Sequence, residues 1–554
     1  MPAEFTDRND FDDSQRGLIA RLDPLEVTEG IYQVRGFDLS NMTLVEGEEG
    51  VIVIDPLISV ECAAAALAFY RAHRGDRRVT AVIYTHAHLD HFGGVLGVVD
   101  ADTTVPIVAP AHFLEHAVSE NVYAGNAMLR RGSYYAAMNV HKGPTGHLGM
   151  GLGPGTSSGT VSLLAPTLEI THTGQREVLD GVTIDFQMTP GTECPAEMNF
   201  YFPDRRALCM SENATHNMHN LLTLRGAQVR DPRIWSRYLA ESIELFAERS
   251  DVSFASHHWP TWGTDAIVAY LRGQRDLYCY LHDQTVRLLN RGLVGSEIAE
   301  LVELPPGLDA VWHTHGYYGT TNHNVKAIFQ RYLGWYDGNP AHLWQHPPEA
   351  AAARYVEALG GIDAAIERAR EFADRDDLRF AAELASHAVF AAPDRRDAAE
   401  LLASVLERLG FGSESATWRN CFLTGAEELR HGITHLEINA ARLAPALTTT
   451  QLFDSVAIRL DGPRAWGLSA SVNWVVTDEQ TRYRMELSNG ALVHFPTSLE
   501  RDADVTLTLT RAQVLALLTS GATEGITIEG DAGVLATIVS LTEAPDPDFA
   551  VVTP

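Results

Sequence analysis

No run of eighteen apolar residues and no cluster of Lys and Arg occurs anywhere in the 554-residue chain. The first absence excludes an apolar membrane-spanning helix. The second, joined to a formal net charge of −30, excludes nucleic acid as a partner, because such a surface repels polyanions unless a local basic patch intervenes. Cysteine is scarce: Cys62, Cys194, Cys209, Cys279 and Cys421 are odd in number, scattered and free of C-x-x-C spacing. That pattern rules out a disulfide framework and a zinc ribbon, and it reads as reduced, mostly buried thiols. Internal repeats and low-complexity tracts are also missing. The opening segment Met1–Leu22 carries Asp7, Asp10, Asp12 and Asp13 and has no apolar core of an export signal, so the chain reads as soluble and cytoplasmic as it stands, with export left open.

What remains is ordinary globular composition spread over a length that calls for several cores. Strand-like runs at Ile31–Val34 and Val51–Asp55, an Ala-rich amphipathic stretch at Val60–His73, and a β-branched run at Val79–Tyr84 give a β-β-α-β opening. Further strands at Val105–Val108, Val182–Met188 and Phe200–Phe202 extend a layered α/β domain over residues 1–285. Residues 286–425 are helix-dominated, with helical spacing clearest in Asp363–Phe372, Arg379–Phe390 and Ala398–Leu409. Residues 426–554 change to period-two alternation, as in Val505–Thr510 and Tyr483–Leu487, with helices expected at Arg511–Thr519 and Ala532–Thr542.

The chemistry concentrates where the run Val79–Tyr84 ends, in T-H-A-H-L-D-H, which places His86, His88, Asp90 and His91 within six residues. Neutral imidazole and carboxylate both bind zinc at about 2.0–2.2 Å, and a loop at a strand end lets such close neighbours converge on borderline divalent metals. Two carboxylates, Glu193 and Glu212, and one further imidazole, His257, stand in turn-rich segments after later strand-like runs. An acidic protein that takes an anionic substrate needs local cations. Arg225 and Arg230 in T-L-R-G-A-Q-V-R-D are the best candidates, because a guanidinium forks onto two oxoanion oxygens.

H-x-H-x-D-H after a strand resembles the metallo-β-lactamase fold, an αββα sandwich with a two-metal site at its edge. Glu at both later positions, in the words A-E-M-N-F, E-N-A-T-H, T-L-R-G-A-Q-V-R-D and S-H-H-W-P, is similar to the alkylsulfatase branch of that fold. E-N-V-Y-A-G-N-A-M at Glu120–Met128 extends the similarity, and G-D-A-G-V-L-A from Gly530 resembles part of a sterol-carrier-like α+β domain.

The resemblance implies two Zn2+ per chain. His86, His88 and Glu193 would hold one, Asp90, His91 and His257 the other, with Glu212 bridging or adjoining both and His258 the competitor of His257. It assigns sulfate recognition to Asn220, Arg225 and Arg230. Asp90, Arg225 and Arg230 are the expected catalytic residues, and the expected reaction is hydrolysis of alkyl sulfates, such as linear primary dodecyl sulfate, to alcohol and sulfate. It implies a homodimer formed through residues 286–425.

Phosphoester, thioester or lactam hydrolysis on the same fold, and lipid binding beside a structural metal, stay open as alternatives. Tyr123, Asn126, Tyr134 and Tyr135 read as packing that borders the approach, and His216 and His219 as neighbours of the ligands. Cys194 reads as a buried thiol, and His313 and His315 as packing or dimer contact.

Overall fold

The computed structural model describes residues 25–435 and 441–554. The polar segment Met1–Leu22 therefore lies outside the described residues, as do the side chains of 119–122 within the Glu120–Met128 motif. Among the described residues no helix is long and apolar enough to cross a membrane.

Two sheets face each other in the first part of the chain. The first has seven strands in sequence order: β1 (Leu25–Thr28), β2 (Ile31–Val34), β3 (Met42–Glu46), β4 (Val51–Ile54), β5 (Val79–Ile83), β6 (Ile107–Pro110) and β7 (Leu168–Ile170). Pairing is antiparallel through β4 and parallel from β4 to β7. The second sheet runs β13-β12-β11-β10-β9-β8, made of β8 (Arg176–Leu179), β9 (Val182–Met188), β10 (Met198–Phe202), β11 (Ala207–Cys209), β12 (Val252–Phe254) and β13 (Thr261–Trp262).

Alternation decides which face each residue takes. Met198, Phe200 and Phe202 of β10 join Phe186, Ile52, Ile54, Ile83 and Val108 in one core between the sheets. Tyr201 points the other way, into a second core with Trp235, Leu239, Leu271 and Leu281 from the helices Pro232–Leu245 and Thr264–Leu289. On the far side of the first sheet lies the helix Val60–Arg74, started by Ser59, whose hydroxyl accepts the Cys62 N–H, and packed through Tyr70 against Tyr32. Helix, sheet, sheet, helix is the resulting order of layers, as the family resemblance implies.

Five helices follow at Pro348–Ala358, Ile362–Asp374, Leu378–Ala391, Arg396–Phe411 and Ala416–His431. Alanines such as Ala369, Ala385, Ala388, Ala398 and Ala403 line their shared core, and small side chains allow close helix approach. Two helices run through the boundaries expected from sequence: Thr264–Leu289 crosses 285/286 and Ala416–His431 crosses 425/426. A change of hydrophobic period marks where the element type changes, not where contacts thin out, and contacts divide the chain elsewhere. The second compact unit comprises residues 439–547 together with 114–127.

That unit holds a five-stranded sheet in the order β16-β15-β14-β17-β18, from β14 (Ala470–Val476), β15 (Thr481–Ser488), β16 (Ala491–Pro496), β17 (Val505–Leu509) and β18 (Thr527–Gly530). Its core centres on Trp474, Phe453, Met485 and Leu507, and the helices Thr449–Ala457, Arg511–Ser520 and Gly533–Ser540 complete an α+β fold. Of the five cysteines, Cys194 and Cys209 are buried while Cys279 is exposed on a helix, so the thiols are less uniformly buried than expected.

Candidate metal centre

The polar cluster collects at the ends of strands from both sheets. β5 runs into Thr85 and His86, β11 into Glu212, β12 into His257, and Glu193 sits in the connection between β9 and β10. Four residues in these turns have positive φ without being glycine: Asp55 at 55°, Leu57 at 63°, Ser211 at 50° and His258 at 63°. Such conformations cost of order 1–3 kcal/mol each and persist only where the surroundings enforce them. The turn after His91 needs Gly93 and Gly94, because a Cβ there would lie 2.3 Å from the Ile58 carbonyl oxygen or 2.2 Å from that of Pro56. The loops are tied together by backbone bonds from Met198 to Thr85, Asn41 to Ser256, and Ser256 to Ser211.

All seven expected ligands converge. His86, His88 and Glu193 form one group of donor atoms, and Asp90, His91, Glu212 and His257 form a second. In the first, Glu193 Oε2 lies 2.8 Å from His88 Nδ1 and 3.2 Å from His86 Nε2. In the second, His91 Nε2 lies 3.2 Å from Asp90 Oδ2, and His257 Nε2 lies 3.5 Å from the same oxygen. Glu212 Oε2 joins the two, at 3.3 Å from His86 Nε2, 3.2 Å from His91 Nε2 and 3.1 Å from His257 Nε2.

These separations match a metal. Donors at about 2.1 Å around a tetrahedral ion stand about 3.4 Å from one another. The atoms that would face it are also unsatisfied: His86 Nε2, His91 Nε2 and Glu193 Oε2 are buried with no hydrogen-bond partner. Orphaned buried polar atoms are costly, and a bound cation removes that cost.

The surrounding shell fixes which nitrogen each imidazole presents. His91 Nδ1 donates to Asp55 Oδ2 at 2.9 Å and His257 Nδ1 to the Leu39 carbonyl at 3.1 Å. The Thr85 hydroxyl donates to Asp55 Oδ2 at 2.8 Å, which leaves its oxygen to accept from His86 Nδ1 at 2.9 Å. All three rings therefore turn Nε2 inward, the nitrogen that a metal would take. The outer oxygens of the carboxylates are held as well: Glu193 Oε1 by Arg230 Nη2, and Glu212 Oε1 by His219 Nε2 at 2.9 Å.

His219 thus stands beside the ligands as expected, while His216 is stacked between Trp259 and Tyr270 and faces away from the group. His258 bonds the Gly151 carbonyl and the His216 N–H, so His257 and not its neighbour belongs to the cluster. Cys194 is buried outside both groups, His313 packs edge-on against Tyr270, and His315 pairs with Glu414. Tyr123 donates to Asp454 at 2.6 Å and Asn126 to the Asp546 carbonyl, both within the second compact unit.

The three anion-binding candidates divide. Arg225 Nη1 donates to the Gly226 carbonyl at 3.1 Å and lies near Tyr135, whose hydroxyl is held above its ordinary value chiefly by burial, with Arg225 lowering it and the charges of Asp90 and Glu212 raising it. Arg230 is more committed than the sequence suggested: it donates to the carbonyl and carboxylate of Glu193 and to the carbonyl and side-chain oxygen of Asn220. Asn220, in turn, is buried against it. Sequence reasoning passed over Asp55, Glu197 and Tyr318 as contributors. Asp55 left a signal, an acidic residue closing V-I-V-I-D at the end of the strand that pairs with β5. Tyr318, packed on His219 with ring centroids 4.8 Å apart, left none.

An αββα sandwich with paired histidine–carboxylate groups at its strand ends defines the metallo-β-lactamase superfamily, and residues 35–258 match that family. Residues 294–432 match the alkyl sulfatase dimerisation family and 437–554 the alkyl sulfatase C-terminal family. The chain belongs to the alkylsulfatase family. It is 46% identical over 543 residues to a linear primary-alkylsulfatase of a Pseudomonas species, covering 96% of this chain and 81% of that one. It is 42% identical to an (R)-specific secondary-alkylsulfatase, also from Pseudomonas, at 96% and 82% coverage. A solved stereoselective inverting sec-alkylsulfatase from Pseudomonas superposes with a TM-score of 0.95 at 40% identity, covering 100% of this chain and 91% of that one.

Protonation of the metal-free cluster has a definite sign. Burial raises the carboxyls of Asp90, Glu193 and Glu212, but His91 and His257, Arg230 and His88, and His257 and His219 respectively outweigh it and hold all three below the usual range. Burial lowers His91 and His257, and Asp90 with Asp55, and Glu212, lift them above their ordinary value. Lowered carboxyls stabilise the fold above their unfolded value and lose this as pH falls. Raised imidazoles stabilise it below about 6.5 and lose this as pH rises. The metal-free protein is therefore expected to be most stable between about pH 4 and 6.5. Because zinc displaces those protons, the gain in melting temperature on zinc addition should grow from pH 5.5 to 8 in calorimetry; a gain that does not change with pH would contradict this protonation scheme.

Proposed function

We propose that this protein hydrolyses alkyl sulfate esters to the alcohol and inorganic sulfate at a dinuclear zinc site. The observation that carries the reading is the shared Glu212 Oε2, which makes one centre of two ligand groups. His86, His88 and Glu193 would hold one ion and Asp90, His91 and His257 the other, with Glu212 between them. Imidazole and carboxylate donors without thiolate suit zinc. A pair of divalent ions there supplies Lewis acidity and activation of water at neutral pH.

The protein's own groups supply access, orientation and charge. Among the ligands His88 and Asp90 keep side-chain exposures of 11% and 16% while the rest are closed off, so substrate approaches from their side. Arg225, near Tyr135, is the guanidinium we assign to fork onto the sulfate oxygens. Arg230 and Asn220 back Glu193, and Arg230 adds positive charge where sulfate leaves. His219, on the outer oxygen of Glu212, steadies that carboxylate.

Linear primary alkyl sulfates are the proposed substrates, supported by the 46% identity to one linear primary-alkylsulfatase. With zinc-loaded protein, sulfate release should be faster from dodecyl sulfate than from a secondary ester of equal length. Asp90→Ala should lower kcat/KM on dodecyl sulfate by at least about a hundredfold, the scale of losing a charge-stabilising group. Undiminished turnover in Asp90→Ala would refute the site, and release from a phosphoester, thioester or lactam instead would refute the substrate.

We also propose a homodimer. The match of residues 294–432 to a dimerisation family supports it, as does the aromatic segment in which Trp335 is 77% and Trp344 96% exposed, with Leu333 and Leu343 exposed beside them. Sedimentation of the full chain at micromolar concentration should give the mass of two chains; the mass of one would count against it.

A further inference from the structure

One buried acid touches the ligand-bearing loops without belonging to either ligand group. Glu197 is fully buried just before β10. Its Oε2 accepts the Glu193 N–H at 3.2 Å, the Cys194 N–H at 3.3 Å and the Thr192 hydroxyl at 2.8 Å. Its Oε1 accepts the Glu212 N–H at 3.2 Å. Its backbone accepts the Thr189 N–H at 2.9 Å and forms an isolated antiparallel bridge with His86.

Glu197 is therefore bonded to the main chain of Glu193 and Glu212 and bridged to that of His86. These are two of the three residues of the first ligand group and the residue at its junction with the second. A carboxylate is an expensive group to bury, and an apolar side chain would fill the volume without that cost. What it provides in return is a direct main-chain tie between two loops that are otherwise linked by the Asn213 amide to the Thr189 hydroxyl and by Arg230, which bonds both Glu193 and Asn220.

We propose that Glu197 is a positioning residue: it locks the loops of Glu193 and Glu212 to one frame and thereby sets the separation of the two metal positions. This rests on the dinuclear reading above. Because Glu212 Oε2 is shared, a shift of its loop relative to that of Glu193 spoils both positions at once. Thr192 is part of the same frame, its hydroxyl held between Glu197 and the Thr189 carbonyl.

Glu197→Gln tests this with little change of volume. The amide oxygen can still accept from Glu193 and Cys194, but the amide nitrogen then meets the Glu212 N–H, donor against donor. Zinc affinity, measured by competition with a chromophoric chelator on the full-length protein, should fall about 10- to 100-fold, the range typical of residues that orient ligands. The metal-free variant should melt within about 4 °C of wild type. With excess zinc, KM for dodecyl sulfate should be unchanged while kcat stays reduced.

Wild-type zinc affinity in Glu197→Gln would overturn the proposal. So would a loss of affinity matched in full by lower stability of the metal-free protein. Should Glu197→Gln fail to fold, Thr192→Val removes a single hydroxyl from the frame and must itself weaken zinc binding; unchanged affinity there overturns the proposal equally. The readout is zinc and not turnover. Tight binding of two ions by a wild type that releases no sulfate would end the alkylsulfatase reading and leave this one intact, whereas wild type that binds no zinc ends both.

Discussion

Oε2 of Glu212 lies within 3.1–3.3 Å of three imidazole nitrogens, those of His86, His91 and His257, in a place closed to water. An anionic oxygen at that distance from three lone-pair-bearing nitrogens is tolerable only if protons or metal ions sit between them. Protons satisfy the charge and metal ions satisfy both charge and geometry, because the N···O spacings are those of donors around a common ion. The remainder of the site is arranged around this demand. Asp55 and the Leu39 carbonyl take the outward-facing N–H groups of His91 and His257, and Thr85 takes that of His86, so each ring can offer only its inner nitrogen.

Convergence of so many polar groups is costly, and the scaffold meets the cost with rigidity. Each ligand leaves a strand or connection whose start is anchored in the core between the sheets, where Phe186, Phe200, Ile54 and Ile83 pack. The loop from Glu212 to Asn220 is held from outside by helix side chains. Trp235 bonds the Asn213 carbonyl, Gln274 the carbonyls of Thr215 and Asn217, and Asn324 that of His219. Residues strained to positive φ at Asp55, Ser211 and His258 sit within these turns. Strain, burial and unsatisfied atoms coincide there, which marks these turns as the part of the chain built for chemistry.

The seven candidate donors that the fold brings together were legible in the sequence, four because they lie in one loop, and Glu193, Glu212 and His257 because the words around them resemble the alkylsulfatase branch. Helices and strands were legible from their periods, so most ends fall within two residues of expectation: Asp363–Phe372 widens to Ile362–Asp374, and Ala398–Leu409 to Arg396–Phe411. The rest depended on contacts between distant segments, which leave no local pattern. Arg225 and Arg230 look alike in the sequence, yet one lies near Tyr135 and bonds the Gly226 carbonyl while the other is spent on Glu193 and Asn220. Glu197 stood in a word used only for its resemblance, and its function as an acceptor for two loops exists only once β9, β10 and β11 lie side by side. Nothing in the sequence near residue 114 announces that residues 114–127 join the unit formed by 439–547.

Diffraction from zinc-soaked crystals at energies on either side of the zinc edge tests the central claim most directly. Two anomalous peaks about 3.5–4 Å apart, one on each side of the Glu212 carboxylate, are the expected result. A single peak, or zinc bound only at surface histidines with the Glu212 oxygen uncoordinated, would contradict it.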